Sequence, residues 1–145
     1  MSNMEFKNFY ISQKEKERIR EELTQRISEQ DEVLFAFIFG SFQDAAGNMP
    51  FRDIDVGLFI KEIGPKEAVY YALDLSQHLS SSVSYPVDVR IINEAPIPFL
   101  FHVIQGKLIV NKDDDMTSDF MEKVIRRYLD MKPLLHMAAK EAFAS

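Results

Sequence analysis

Residues 39–60 read FGSFQDAAGNMPFRDIDVGLFI, and this stretch constrains the fold and the chemistry of the chain more than any other. An apolar run ends at Gly40–Ser41, and Asp53-Ile54-Asp55 opens the next run eleven residues later. Two carboxylates at i and i+2 of a strand point to the same face, about 6.7 Å apart. They repel each other by about 2 kcal/mol at an effective dielectric constant of about 20. A hard divalent cation such as Mg²⁺ removes that repulsion and prefers carboxylate oxygens.

The Gly40–Ser41 pair is a common turn sequence, and by itself it predicts no more than a loop. Its position after an apolar strand and before the acid pair favours a phosphate-binding turn. Glycine lets the backbone approach a phosphate closely, and the serine hydroxyl and amide can donate hydrogen bonds to it. A metal and a phosphate at one place indicate nucleotide chemistry.

The composition predicts one globular domain over residues 1–145, since 46% hydrophobic residues with 12 Phe can form a sizeable core. The formal charge of −6 argues against a broad nucleic-acid footprint, which needs a basic face. No cysteine is present, which fits a reducing cytoplasm. The apolar run 33–39 is too short to cross a bilayer, and Glu5 and Lys7 argue against a signal peptide.

Helix and strand patterns alternate along the chain, which predicts an α/β (α+β) fold. Ser12 and Glu15 form a capping-box pattern at the start of the first helix. Pro133 predicts a kink or break in the last helix. The expected elements are helices at about 12–30, 66–81, 96–105 and 117–140, strands at 33–39, 53–60, 87–92 and 108–110, and a loop at 42–52.

Asp88 is the third candidate acid, and it lies on a strand whose opposite face is apolar. On its own it could equally be a surface residue paired with Arg90. If strands 53–60 and 87–92 are neighbours, Asp53, Asp55 and Asp88 converge. Three carboxylates holding metal ions can clamp a triphosphate and activate an attacking hydroxyl.

The remaining polar candidates are interpreted as structural. The run Asp113–Asp115 is expected to be a solvated loop before a helix N-terminus, where negative charge is favourable. The three histidines show no ligand spacing, and the two arginines of the last helix are expected to face solvent. These residues are His78, His102, His136, Arg126 and Arg127.

With these residues in hand, the chain resembles the minimal nucleotidyltransferases (MNT group) of the DNA polymerase β superfamily. The family pattern is Gly-Ser, a gap of about ten residues, Asp-x-Asp and a third Asp on a later strand. It reads here as Gly40–Ser41, Asp53-Ile54-Asp55 and Asp88 within PVDVRIIN. The segment NEAPIPFLFHVIQGKLIV, residues 93–110, is also similar to the family's helix, turn and strand after the third acid.

The resemblance implies a mixed β-sheet flanked by helices, with a catalytic core at about 31–112, Mg²⁺ as cofactor and ATP as substrate. Asp53 and Asp55 would ligate both metals, and Asp88 would help to hold the catalytic metal and favour deprotonation of the attacking hydroxyl. Gly40 and Ser41 would hold the triphosphate. The expected reaction is in-line attack on the α-phosphorus with release of pyrophosphate.

Two positions depart from the family pattern near the phosphates. Many members carry Ala-Arg-Gly soon after the Gly-Ser, and this chain has Gln43-Asp44-Ala45. The residue before the first Asp is often Ser, and here it is Arg52. We expect Arg52 to supply the missing positive charge to the triphosphate.

The resemblance also implies a partner, because single-domain members of this size are often antitoxins of helical HEPN ribonuclease toxins. The expected function is transfer of AMP from ATP to a tyrosine hydroxyl of such a toxin, in a homo- or hetero-oligomer. Two alternatives stay open. The chain could block the toxin by binding without catalysis, or it could modify a small molecule such as an aminoglycoside.

Overall fold

The computed structural model describes residues 8–44 and 50–144, and the side chain of Asp44 lies outside that description. Helices and strands alternate along the chain, with a one-turn helix between the first two strands. In chain order the elements are α1 Gln13–Ser28, β1 Val33–Phe39, α2 Ser41–Asp44, β2 Ile54–Ile60, α3 Pro65–Val83, β3 Val87–Ile91, α4 Ile97–Ile104, β4 Lys107–Asn111 and α5 Asp114–Ala144.

The four strands form one sheet in the order β3-β2-β1-β4. Strand β1 is antiparallel to both β2 and β4, whereas β2 and β3 are parallel and are connected through α3. The C-terminal end of β1 and the N-terminal ends of β2 and β3 therefore lie at the same end of the sheet. The predicted fold class, a mixed sheet flanked by helices, is confirmed.

Helices cover both faces of the sheet, and each face has its own apolar core. One core packs α1 and α3 against alternate residues of β2, namely Ile54, Val56, Leu58 and Ile60. The other packs α4 and α5 against Phe35, Phe37 and Phe39 of β1. Because β1 is covered on both faces, its sequence is apolar throughout rather than alternating.

Helix α1 begins where the capping-box pattern predicts. The side chain of Ser12 accepts a hydrogen bond of 3.1 Å from the amide of Glu15. The stripe Ile19, Leu23 and Ile27 is fully buried, so these residues belong to the core. An N-cap serine of this kind stabilises a helix by about 1 kcal/mol.

Two expectations from the sequence are wrong. The loop expected at 42–52 begins instead with α2, which includes Phe42 and Gln43, and Gly47 and Asn48 lie outside the described residues. Of the kink or break expected at Pro133, the break does not occur, because α5 continues through this residue to Ala144.

The distal turns of α5 expose apolar side chains, among them Leu134, Met137 and Phe143, which are 66%, 57% and 88% exposed. The helix gains few tertiary contacts there, unlike its first turns, where Val124 is buried. Within the described ranges, no helix combines the length and the apolar character that crossing a membrane requires.

Candidate active site

Gly40 ends β1 in a left-handed conformation, with φ of +81°. L-residues with a side chain rarely adopt this conformation, whereas glycine does so without steric cost. A Cβ atom at position 40 would also overlap the Oδ2 atom of Asp55. The glycine therefore allows the chain to turn directly against this carboxylate, and Ser41 follows as the exposed first residue of α2.

Asp55 and Asp88 are register partners on the parallel strands β2 and β3. Side chains at the same level of neighbouring parallel strands point to the same face, so the two carboxylates lie next to each other. Helix α3 fixes this edge strand. The amides of Val87 and Val89 donate to the hydroxyls of Ser80 and Ser76 at 2.8 and 2.9 Å, so both neighbours of Asp88 are held.

The environment of Asp55 raises the pKa of its carboxyl to about 6. Burial is the main cause, followed by the negative charges of Asp88 and then Asp53. The charges of Arg90 and His102 act in the opposite direction. Asp53 is exposed and precedes β2, two residues before Asp55. The three acids predicted from the sequence are thus close enough to interact.

Arg90 lies two residues after Asp88 on β3 and pairs with it, with 3.2 Å between Nε and Oδ2. Its guanidinium carbon is 5.7 Å from the ring centroid of Phe99 on α4. That ring packs edge-on against Phe39, the register partner of Asp55 on β1, at 5.6 Å. Aromatic side chains and a cation therefore border the acids.

His102 on α4 also packs edge-on against Phe39, with ring centroids 5.5 Å apart. The sequence interpretation of His102 as merely structural was incomplete, because its charge acts on Asp55. No spacing along the chain could have indicated this, since α4 reaches the site only through the tertiary fold. The sequence did indicate Arg90 as a partner of Asp88, because a residue two positions away shares its face of the strand, and the structure shows this pair.

The acids suit Mg²⁺ in chemical type, because hard cations prefer carboxylate oxygens and the raised pKa of Asp55 reflects negative charge that a cation would offset. Their side chains are not arranged as a complete metal site. In residues 8–44 and 50–144, no group of three acidic or histidine side chains is positioned to hold a metal ion. Asp88 contacts Arg90 through Oδ2, so the guanidinium competes with a metal ion for this carboxylate.

Comparison with protein families adds a sequence-based finding to this geometry. Residues 21–115 match the model of the polymerase beta nucleotidyltransferase domain. The chain belongs to this nucleotidyltransferase family. The matched region includes Gly40, Ser41 and all three acids. A comparison with curated proteins finds no match.

Solved structures of MNT antitoxins share the fold of this nucleotidyltransferase. A Shewanella oneidensis complex of a tri-AMPylated HEPN toxin with its MNT antitoxin matches with a TM-score of 0.67 and 16% identity, over 89% of this chain and 99% of that one. The toxin–antitoxin complex MntA-HepT matches with a TM-score of 0.63 and 16% sequence identity, over 92% of this chain and 100% of that one. A toxin–antitoxin complex with AMP-PNP matches with a TM-score of 0.64 and 19% sequence identity, over 86% of this chain and 97% of that one.

The structure places Gly40 against Asp55, with Ser41 next to it, and it places Asp53 and Asp88 close enough to act on Asp55. Arg52, the last of the six residues that the sequence indicated, is exposed and directly precedes Asp53. Gln43, at one of the departures from the family pattern, accepts a hydrogen bond from Arg20 of α1 at 3.1 Å.

Proposed function

We propose that this nucleotidyltransferase is a Mg²⁺-dependent protein adenylyltransferase that transfers AMP from ATP to a tyrosine hydroxyl of a HEPN-type toxin and so acts as its antitoxin in the cytoplasm. The observation that carries the catalytic part is the convergence of Asp53, Asp55 and Asp88 beside the left-handed Gly40. The partner is supported by the shared fold of MNT antitoxins in complexes with HEPN toxins.

In the proposed site, Asp53, Asp55 and Asp88 hold Mg²⁺, while Gly40, Ser41 and Arg52 contact the triphosphate. When bound, Mg²⁺ offsets the charge of the phosphates and promotes ionisation of the attacking hydroxyl. Such an arrangement of metal ligands and phosphate contacts is typical of phosphoryl-transfer sites, where positioning and charge stabilisation supply most of the catalysis.

In the proposed reaction, the tyrosine oxygen attacks the α-phosphorus of ATP in line with the leaving group. The bond from tyrosine oxygen to phosphorus forms, the bond between the α-phosphorus and the bridging oxygen breaks, and pyrophosphate leaves. The hydroxyl proton passes towards the carboxylate of Asp88. The acceptor comes with the partner, so a single domain suffices to catalyse the step.

The decisive experiment incubates this protein with a HEPN-type toxin, the product of a neighbouring reading frame where one is present, together with Mg²⁺ and ATP, and then measures the intact mass of that partner. We expect increments of AMP with the wild type and none with Asp53→Ala. Replacing the acceptor tyrosine of the partner with phenylalanine should remove the increment. Unchanged partner mass under all conditions would contradict the adenylyltransferase assignment.

Blocking without catalysis is the second candidate, and one observation favours it. Asp88 pairs with Arg90, so the described acids do not form a ready metal site. This candidate predicts that Asp53→Ala still neutralises the ribonuclease activity of the partner completely, with no change in partner mass. Loss of neutralisation in Asp53→Ala would exclude it.

A further inference from the structure

Lys16 of α1 is fully buried, which is unusual for a lysine, and it faces α2. Its Nζ donates a hydrogen bond of 3.3 Å to the carbonyl oxygen of Phe42, the residue after Ser41. The same ammonium lies 5.4 Å from the centroid of the Phe42 ring. Because burying an ammonium costs several kcal/mol, hydrogen bonding must offset the loss of water.

Arg20, one turn further along α1, reaches the same place. Its guanidinium carbon is 5.6 Å from the centroid of the Phe42 ring, and its Nε donates to Oε1 of Gln43 at 3.1 Å. Two cations from α1 therefore contact two consecutive residues of α2, directly after the Gly40–Ser41 turn.

These contacts stabilise an element that cannot be stable by itself. Helix α2 is a single turn, Ser41–Asp44, and an isolated turn does not offset the cost of helix nucleation. The carbonyl groups at the end of such a helix also lack partners within it, and Lys16 satisfies the one at Phe42. The ring of Phe42 is buried and packs edge-on against Phe51 at 5.0 Å. Helix α1 thus holds α2 through Phe42 and Gln43, and in this way it fixes the orientation of the turn that carries Ser41.

We propose that Lys16, assisted by Arg20, is a positioning residue for the Gly40–Ser41 turn and contributes to the affinity of the site for nucleotide phosphates, an inference that rests on the proposed function. Asp53, Asp55 and Asp88 repel a triphosphate before any metal binds. Cations behind the turn offset that repulsion, and a buried charge is screened by salt less than a surface charge.

Burial lowers the pKa of Lys16 from its usual range, and the nearby charge of Arg20 acts in the same direction. Folding therefore costs free energy at this position. Lys16→Met keeps most of the apolar stem and removes both this cost and the hydrogen bond to the carbonyl of Phe42, so its free energy of unfolding is measured beside its binding. Urea denaturation of Lys16→Met shows whether a change in nucleotide binding reflects lost positioning or lost folding.

The test is calorimetric titration of the full chain with AMP-PNP in excess Mg²⁺. Lys16→Met should weaken binding about tenfold and Arg20→Gln about threefold, since each removes a charged hydrogen-bond donor. Lys14→Met, the same change at an exposed position of α1, is the matched control and should bind as the wild type does. Lys16→Arg should restore part of the lost affinity.

A second readout separates this role from a general structural one. The affinity for Mn²⁺ without nucleotide reports on the acids, and it should not weaken in Lys16→Met, because removing a positive charge does not disfavour a cation. Equal nucleotide affinity of Lys16→Met and the wild type would overturn the inference, as would parallel losses of Mn²⁺ and nucleotide binding. If Lys16→Met does not fold, the same titration is made with Arg20→Gln. An affinity of Arg20→Gln for AMP-PNP equal to that of the wild type then overturns the inference. Failure of the wild type to bind AMP-PNP would instead contradict the proposed function.

Discussion

Asp55 and Asp88 lie side by side at the same level of the parallel strands β2 and β3. The α3 crossover brings them together, and two serines of α3 fix the edge strand on either side of Asp88. Two acids that are distant in the sequence thus become a pair, and the charge of Asp88 contributes to the raised pKa of Asp55. A site for a divalent cation needs this concentration of negative charge.

The left-handed turn at Gly40 predicts a sharp effect of adding a methyl group. Gly40→Ala combines backbone strain at φ of +81° with overlap on the Asp55 carboxylate, so we expect a loss of about 1–3 kcal/mol in the free energy of unfolding. Urea denaturation measures it. Gly64→Ala is the matched control, because Gly64 has φ of −62° and a methyl group there meets only the flexible end of Glu67. Equal effects of the two changes would contradict this explanation.

The raised pKa of Asp55 predicts how stability depends on pH. The carboxyl titrates at about 6 in the folded protein and at about 3.9 in an unfolded chain, so the folded state binds this proton more tightly between the two values. The contribution of Asp55 to stability is therefore most favourable below about pH 4 and falls as pH rises through about 6. At higher pH the ionised group costs about 1–2 kcal/mol after allowance for solvent screening.

Asp55→Asn should accordingly raise the free energy of unfolding above about pH 7 and change it little near pH 4, both measured by urea denaturation without divalent cations. Added Mg²⁺ should stabilise the wild type above about pH 7 but not this variant. A stabilisation of equal size at both pH values would show that the titration of Asp55 is not the cause.

The ion pair between Arg90 and Asp88 predicts competition with metal. Because Arg90 and a metal ion compete for the carboxylate of Asp88, Arg90→Ala should tighten Mn²⁺ binding about two- to fivefold in the absence of nucleotide. Electron paramagnetic resonance of free Mn²⁺ measures the change. Arg126→Ala removes a comparable exposed pair with Glu122 on α5 and should leave Mn²⁺ binding unaltered. Weaker binding in Arg90→Ala would show that Arg90 supports the metal site rather than opposing it.

Helix α1 is buried along its apolar stripe, whereas the distal part of α5 is exposed. This predicts that the same Leu→Ala substitution changes the free energy of unfolding much more in α1 than in α5. Leu23 is fully buried, so Leu23→Ala should cost about 2–5 kcal/mol in the free energy of unfolding. Leu134 is 66% exposed, so Leu134→Ala should change it by about 0.5 kcal/mol or less. Chemical denaturation of both variants compares them, and a large loss in Leu134→Ala would indicate that the distal turns are covered.

Local patterns in the sequence were sufficient to predict most of the elements and most of the proximity of the three acids. The uniform apolar run of β1 indicated a strand buried on both faces, and the alternation of β2 placed Asp53 and Asp55 on the face opposite Ile54. Asp88 needed one further assumption, that β2 and β3 are neighbours, and the sheet order confirms it.

The remaining features depend on contacts between distant parts of the chain. Helix α2 has too few residues for a helical period, and it depends on Lys16 for support from another helix. The approach of His102 to Asp55 depends on how α4 packs against β1 through Phe39. Pro133 lies inside α5 without ending it, so its local preference alone did not decide between a kink and a break.

The central claim is that the three acids and the Gly40–Ser41 turn form one site for a magnesium-bound nucleotide. Titration of AMP-PNP into the wild-type chain and into Asp55→Ala, each with and without Mg²⁺, tests it most directly. The account predicts binding that requires Mg²⁺ in the wild type and is lost in the variant. Equal binding by both proteins, or none by the wild type with Mg²⁺ present, would contradict it.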